Sequence, residues 1–241
     1  MPFTRPRHWL RWLIGGIVVL AVLAVAGPFL YIHFFNGSTP AALSLSPSGS
    51  ASASASAAAS AATAASGPVA GNWTVGSGSV VGYRVSEVLL GQNATAVGRS
   101  SSVTGHLTIA GTTATAASFS VPMDTIHSDK SQRDDQFDGR IMDVAQYPTG
   151  TFTLTSPVDL APLPAAGEVK TYTAHGQLTL HGTTRAVTVT LTAERTGSQI
   201  KVSGNIPVLF SDYNIQNPSF AGFVTTQDHG LLEFLLVFSR S

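Results

Sequence analysis

The residues best equipped for chemistry lie between Val121 and Phe152. That stretch holds Asp124, Asp129, Lys130, Arg133, Asp134, Asp135, Asp138, Arg140 and Asp143, in a chain of 241 residues of which only 11% are charged. His127 stands between Asp124 and Asp129, residue types that could move a proton or hold a metal ion. Arg133 could fork onto the paired oxygens of an anion such as a phosphate. A structural alternative uses the same residues. Arg133 and Asp134 would fasten a short helix to its support, with Asp124 or Asp129 as its cap. The wider sequence carries no enzyme signature. It has no H-E-x-x-H pair, no G-x-S-x-G turn and no cysteine, so zincin, nucleophile-elbow, thiolate and disulfide chemistry drop out. His106, His175 and His181 sit among threonines, where a solvated ring is the ordinary expectation. We assign no catalytic or metal-ligating residue, and read Asp124, Arg133 and Asp134 as a clasp or as the contact for an anionic head group.

The elements that must position this segment are strands. Val81, Tyr83 and Val85 alternate with polar or small residues, as do Leu107 and Ile109, Phe119 and Val121, and Phe152 and Leu154. Tyr172, Ala174, Gly176, Leu178 and Leu180 alternate with threonine, histidine and glutamine, and Val187, Val189 and Leu191 with threonine. Two further strands fall near Ile200–Phe210 and Leu231–Phe238. The pattern predicts about eight antiparallel strands, each with an apolar and a threonine-rich face, forming a closed barrel or a sandwich. Proline cannot donate to a ladder, so Pro122 and Pro207 belong at strand ends or unpaired positions. One helix is expected, over 130–141, with Asp129 and Gln132 as a capping box and Phe137 and Ile141 as its apolar stripe.

The N-terminal third differs in kind. Residues 1–12 carry Arg5, Arg7 and Arg11 ahead of an apolar run over 13–35, which at about 1.5 Å per residue is long enough to span a bilayer. The positive-inside rule then places residues 1–12 in the cytoplasm and everything after residue 35 outside the membrane. Ala24-Val25-Ala26 resembles a signal-peptidase site, and cleavage after Ala26 would release the protein instead. Residues 36–70 are almost wholly Ala, Ser, Thr, Pro and Gly, the composition of a disordered tether reaching on the order of 30 Å. Residues 71–241 remain as one folded domain, large enough for its own core. The 13 basic and 13 acidic residues balance, so no steering toward nucleic acid is expected.

Several blocks occur in an order that resembles the YceI-like family of polyisoprenoid-binding barrel proteins. They are Met123-Asp124-Thr125, Arg133-Asp134, Phe137-Asp138, Tyr147-Pro148 with Phe152, and Gly176-Gln177-Leu178-Thr179-Leu180-His181-Gly182-Thr183-Thr184-Arg185. Trp73, the strand from Ser79 to Val85, and Ser211-Asp212-Tyr213-Asn214-Ile215 follow the same order. The resemblance implies an eight-stranded, lipocalin-like antiparallel barrel, exported to the cell envelope, with a long-chain lipid in an apolar lumen. The chain departs from the family in the Ser/Ala/Gly-rich stretch Glu87–Ser102, which alters one barrel mouth. Asn214, where the family has glycine, is a minor change because asparagine tolerates a left-handed backbone.

On that basis the lumen is expected to be lined by Val81, Tyr83, Val85, Leu107, Phe119, Val121, Phe137, Ile141, Phe152, Leu154, Gly176, Leu178, Leu180, Val187 and Val189. Gly105, Ala117, Ala174 and Gly176 are expected to leave room for ligand. The expected partners are a polyisoprenoid or other long-chain lipid, with no cofactor or metal, and the membrane through residues 13–35. Alternation alone leaves open whether the barrel is hollow or filled. A filled barrel would be an envelope or stress-response interaction module without ligand. A barrel hydrolase or metal-binding protein is the third reading.

Overall fold

The computed structural model describes residues 39–45, 68–89, 91–219 and 224–241. The apolar run over 13–35, its cytoplasmic flank and the site ending at Ala26 lie outside them. Among the described residues no helix is long and apolar enough to cross a membrane.

The alternating segments do form strands. The first five are β1 (Gly71–Val75), β2 (Val80–Leu89), β3 (Gln92–Ser100), β4 (Thr104–Ala110) and β5 (Thr113–Pro122). A helix, α1 (Ser131–Gln136), leads on to β6 (Thr149–Leu154), β7 (Val158–Asp159), β8 (Val169–Leu180) and β9 (Thr183–Thr196). The last three are β10 (Gln199–Leu209), β11 (Val224–Thr226) and β12 (His229–Arg240). β1, β4, β5, β6, β8, β9, β10 and β12 close into an antiparallel ring, because β1 pairs with β4 on one side and β12 on the other. Closure leaves the ring without an exposed ladder edge. The fold is the expected eight-stranded antiparallel barrel.

β12 serves two partners along its length. Phe238–Arg240 pair with β1, and Leu231–Leu235 pair with β2, so the β2–β3 hairpin prolongs the wall. Within the Glu87–Ser102 departure, the end of β2 and all of β3 form regular strand, and the two strands pair from Val81↔Ser100 to Leu89↔Gln92. Pro122 ends β5, and Pro207 lies beyond Gly204, where the β9 ladder stops, so neither proline faces an acceptor it cannot serve. Asn214 takes the left-handed backbone expected of it, at φ 56°.

The two barrel ends are built differently. At the terminal end lie Gly71, the β4–β5 turn, the 155–168 loop and the C-terminus. At the helix end, α1 continues into a π-helical turn, Phe137–Ile141, in which the Met142 amide donates to the Phe137 carbonyl at 2.9 Å. The predicted capping box is absent. Lys130 occupies the N-cap position with no side-chain cap, and Asp134 instead accepts from the Ser128 amide at 2.8 Å and hydroxyl at 2.7 Å. Phe137 is buried and Ile141 half-buried in a cluster with Met123, Met142, Phe210 and Tyr213, which plugs this end. Tyr83 stacks on Phe137 with ring centroids 5.1 Å apart.

Two sequence boundaries need correction. Val69 is buried among Trp73, Ile109 and Phe238, and the Trp73 indole donates to its carbonyl at 2.9 Å, so the folded unit begins before residue 71. Within the supposed tether, Thr39–Leu45 lie on the barrel wall: Arg84 donates to the Pro40 carbonyl at 2.8 Å, and the Leu45 amide donates to the Ser203 hydroxyl at 3.1 Å.

Candidate functional site

The alternation of β8 decides what fills the barrel. Tyr172, Ala174, Gly176, Leu178 and Leu180 are buried, while Thr171, Thr173, His175 and Gln177 between them are exposed. Repeated around the ring, this period of two turns one apolar face inward from every strand. The inward faces meet in places, as where Phe119 and Phe238 pack with ring centroids 5.9 Å apart, but not throughout. They enclose a cavity of about 230 Å³ that reaches from Val69 and Leu160 at the terminal end to Met123 and Leu180 at the helix end. Its wall is almost wholly hydrocarbon, and a dry cavity lined by such groups accepts apolar molecules. From Tyr172 to Leu180 the wall follows eight strand steps, roughly 26 Å at 3.3 Å each.

Of the expected lumen residues, Val81, Leu107, Phe119, Val121, Phe152, Leu154, Leu178, Leu180 and Val189 line this cavity. Tyr83, Val85, Phe137, Ile141 and Val187 do not reach it; they pack into the plug at the helix end. Gly176 is also off the wall. A Cβ there would stand 2.3 Å from Phe152 Cζ, so the ring of Phe152 takes up the space that the missing side chain leaves. Phe119 covers Gly105 in the same way, at 2.6 Å. These glycines make room for neighbouring rings, which are stacked 6.1 Å apart, and not for a ligand. Ala117 and Ala174 do line the cavity.

Sequence reasoning missed the closure of the terminal end. Val69, Val158, Leu160, Leu163 and Pro164 complete the wall there, from segments with no periodic pattern. Leu163 remains 37% exposed. Glu194 and Arg195 border the cavity at the same end, at the last turn of β9. The inward faces of β10 and β12, including Val202, Ile206, Leu232, Phe234 and Leu236, also belong to the wall. Their alternation is legible in the sequence, and they add to the expected set.

The charged segment lies outside the lumen. Arg133 reaches Asp129, one helical turn back, and Glu87 of β2 at 3.5 Å, so it ties the helix to the barrel. Asp134 is held by Ser128 and lies 3.6 Å from His127. Asp124 is exposed. None of the three borders the cavity. His127 is engaged through its backbone, exchanging hydrogen bonds with Arg99 at 2.8 and 3.0 Å. His106 and His175 are exposed as expected, but His181 is half-buried, tilted against Tyr147 at 4.5 Å. Burial pushes the Tyr83 phenol up to about 12, and desolvation raises the Asp138 carboxyl. Among the described residues no group of three or more His, Asp or Glu could hold a metal ion.

Fold and lumen together define a closed antiparallel barrel with a hollow, apolar interior. A family model described as the YceI-like domain matches residues 73–238, and the chain belongs to that family. Among solved structures it is similar to a polyisoprenoid binding domain from Saccharophagus degradans implicated in plant cell wall breakdown. The two share 17% identity over 70% of this chain and 98% of the other, with a TM-score of 0.59. It is also similar to BcnA of Burkholderia cenocepacia, at 22% identity over 64% of this chain and 95% of the other, TM-score 0.50. No curated protein matches.

Proposed function

We propose that this protein is a membrane-tethered, extracytoplasmic lipid-binding protein that holds a long apolar chain, of the polyisoprenoid class, in its barrel. The observation that carries the proposal is the continuous hydrocarbon-walled cavity of about 230 Å³. Each buried five-carbon isoprene unit supplies roughly 4 kcal/mol of gross binding energy without any polar contact. Three units then offset the several kcal/mol lost in ordering and association. The similarity to a polyisoprenoid binding domain supports the ligand class. The arginines before the apolar run over 13–35 support the tether and its orientation.

The lipid enters at the terminal end. The opposite end is plugged by Phe137, Met142, Phe210 and Tyr213, whereas the terminal end is covered by Val69 and the loop bearing Leu160 and Leu163. Storage, shuttling or shielding of the lipid all follow from such a site, and none of them requires the protein to catalyse a reaction. The test is mass spectrometry of organic extracts from protein lacking residues 1–35, with a long-chain fluorescent lipid as a binding probe. A stoichiometric long-chain lipid, or saturable probe binding, is the expected result. An empty extract together with no probe binding would refute the carrier reading in favour of an interaction module.

A further inference from the structure

The outward face of β10, β12 and β2 is built unlike the rest of the barrel exterior. Leu232, Phe234, Leu236 and Phe238 alternate inward along β12, which puts Leu231, Glu233 and Leu235 on the other face, although Glu233 also borders the cavity. An outward glutamate on an open barrel wall should be wet, yet the Glu233 side chain is only 4% exposed. It is bound by Arg84 at 2.7 Å on one carboxylate oxygen and by Arg99 on the other. Ser203, outward on β10, is 3% exposed, and Leu231 and Leu235 are half-buried. Segment Thr39–Leu45 meets this face at two points. Arg84, already on Glu233, donates a second nitrogen to the Pro40 carbonyl, and Ser203 accepts from the Leu45 amide. Pro40 lies by β2 and Leu45 by β10, so the segment crosses β12 between them. Leu43 and Leu45 are half-buried while Ala41, Ala42 and Ser44 are exposed, an alternation suited to an extended strap with one apolar edge.

We propose that Thr39–Leu45 is an intramolecular strap whose docking site is the outer face of β10, β12 and β2, and that it lays this flank of the barrel against the membrane. The orientation rests on the membrane-anchor reading of residues 13–35; the docking does not. From Phe35 to Thr39 there are four residue steps, which span at most ~14 Å in any conformation. A free 35-residue tether would instead hold the barrel on the order of 30 Å away with no preferred face. The strap thus fixes both stand-off and orientation. Strap release would lengthen the tether without breaking the chain.

The cysteine-free sequence makes the test direct. In full-length protein carrying Leu43→Cys and Asn205→Cys, spin labels should give one narrow, short distance distribution. A broad, long distribution would overturn the docking. For orientation, a fluorophore is placed on full-length protein in vesicles containing head-group quencher lipid. It sits at Asn205→Cys on β10 or at Thr153→Cys on β6, which stands across the ring from β12. Quenching at Asn205 should exceed that at Thr153 at least twofold, and the double change Leu43→Asp and Leu45→Asp should remove the difference. Equal quenching in the unchanged strap would overturn the orientation. Vesicle flotation separates the two premises. Protein that fails to float overturns the anchor reading and the orientation with it, while the spin-label distance still decides docking.

Discussion

Filling the lumen should stabilise this barrel, the opposite of what an extra ring does to an ordinary core. Ala117 sits on the inward face of β5, opposite Leu107, and its methyl borders the cavity. Ala117→Phe adds six carbons. If all of them pack in place of empty space, the gain is about 5 kcal/mol at ~0.8 kcal/mol per carbon. Displaced rotamers take back roughly 1–3 kcal/mol. The net expectation for lipid-free protein is about 2 kcal/mol of added stability. For a domain of this size that raises Tm by roughly 4–8 °C. The cavity itself sets the ceiling, since 230 Å³ at ~24 cal/mol per Å³ amounts to about 5.5 kcal/mol of forgone packing. The assay is thermal unfolding of delipidated protein by circular dichroism, with titration of a long-chain fluorescent lipid beside it. The variant should melt higher and bind at least tenfold more weakly. A variant that melts several degrees lower would show that the barrel is already full. One that retains full lipid affinity would show that ligand sits elsewhere.

Three further outcomes follow from the charged and aromatic groups. Glu233→Gln leaves Arg84 and Arg99 facing each other without a counter-charge in a largely buried place, and should cost about 3 kcal/mol in denaturant unfolding; a loss under 1 kcal/mol would mean that water solvates the triad. Arg133→Ala removes the tie from α1 to Glu87 and should cost about 1 kcal/mol while leaving lipid loading intact. A large drop in loading with unchanged stability would move Arg133 from clasp to head-group contact. Tyr83 titrates at about 12 in the folded barrel against 10 when unfolded, because burial disfavours the phenolate. Its share of stability is complete below pH 10 and is lost as pH rises through 12, a total of about 2.7 kcal/mol at 1.36 per pH unit. Tyr83→Phe should flatten that part of the alkaline melting profile, and an unaltered profile would place the tyrosine in contact with solvent.

How far the sequence carries the site depends on what alternation can and cannot say. A period of two states which side chains turn inward, so the strands and nine of the fifteen expected lumen residues were legible, while barrel and sandwich fit it equally until the family resemblance is added. It does not state what stands opposite each one. Gly105 and Gly176 read as space for a ligand, yet Phe119 and Phe152 lie over them, because a cross-strand or diagonal ring fills any gap within its reach. Tyr83 and Val85 share the parity of Val81 but lie one turn nearer the helix, where the plug replaces the cavity. Ends and surfaces escape periodic reading altogether. Val69 closes the lumen from the last residues of an Ala/Ser-rich stretch, and Thr39–Leu45 lies on the wall from within the same composition. Low apolar bulk argues against a core of its own, but not against a few residues borrowing one. Two half-buried leucines and two hydrogen bonds suffice when the other face is already folded. Docking Thr39–Leu45 orders seven residues, a cost that such contacts can offset. A tether is therefore better judged by what lies within its reach than by its composition. Here the barrel wall within reach holds a buried carboxylate whose arginine has a donor to spare for a backbone carbonyl.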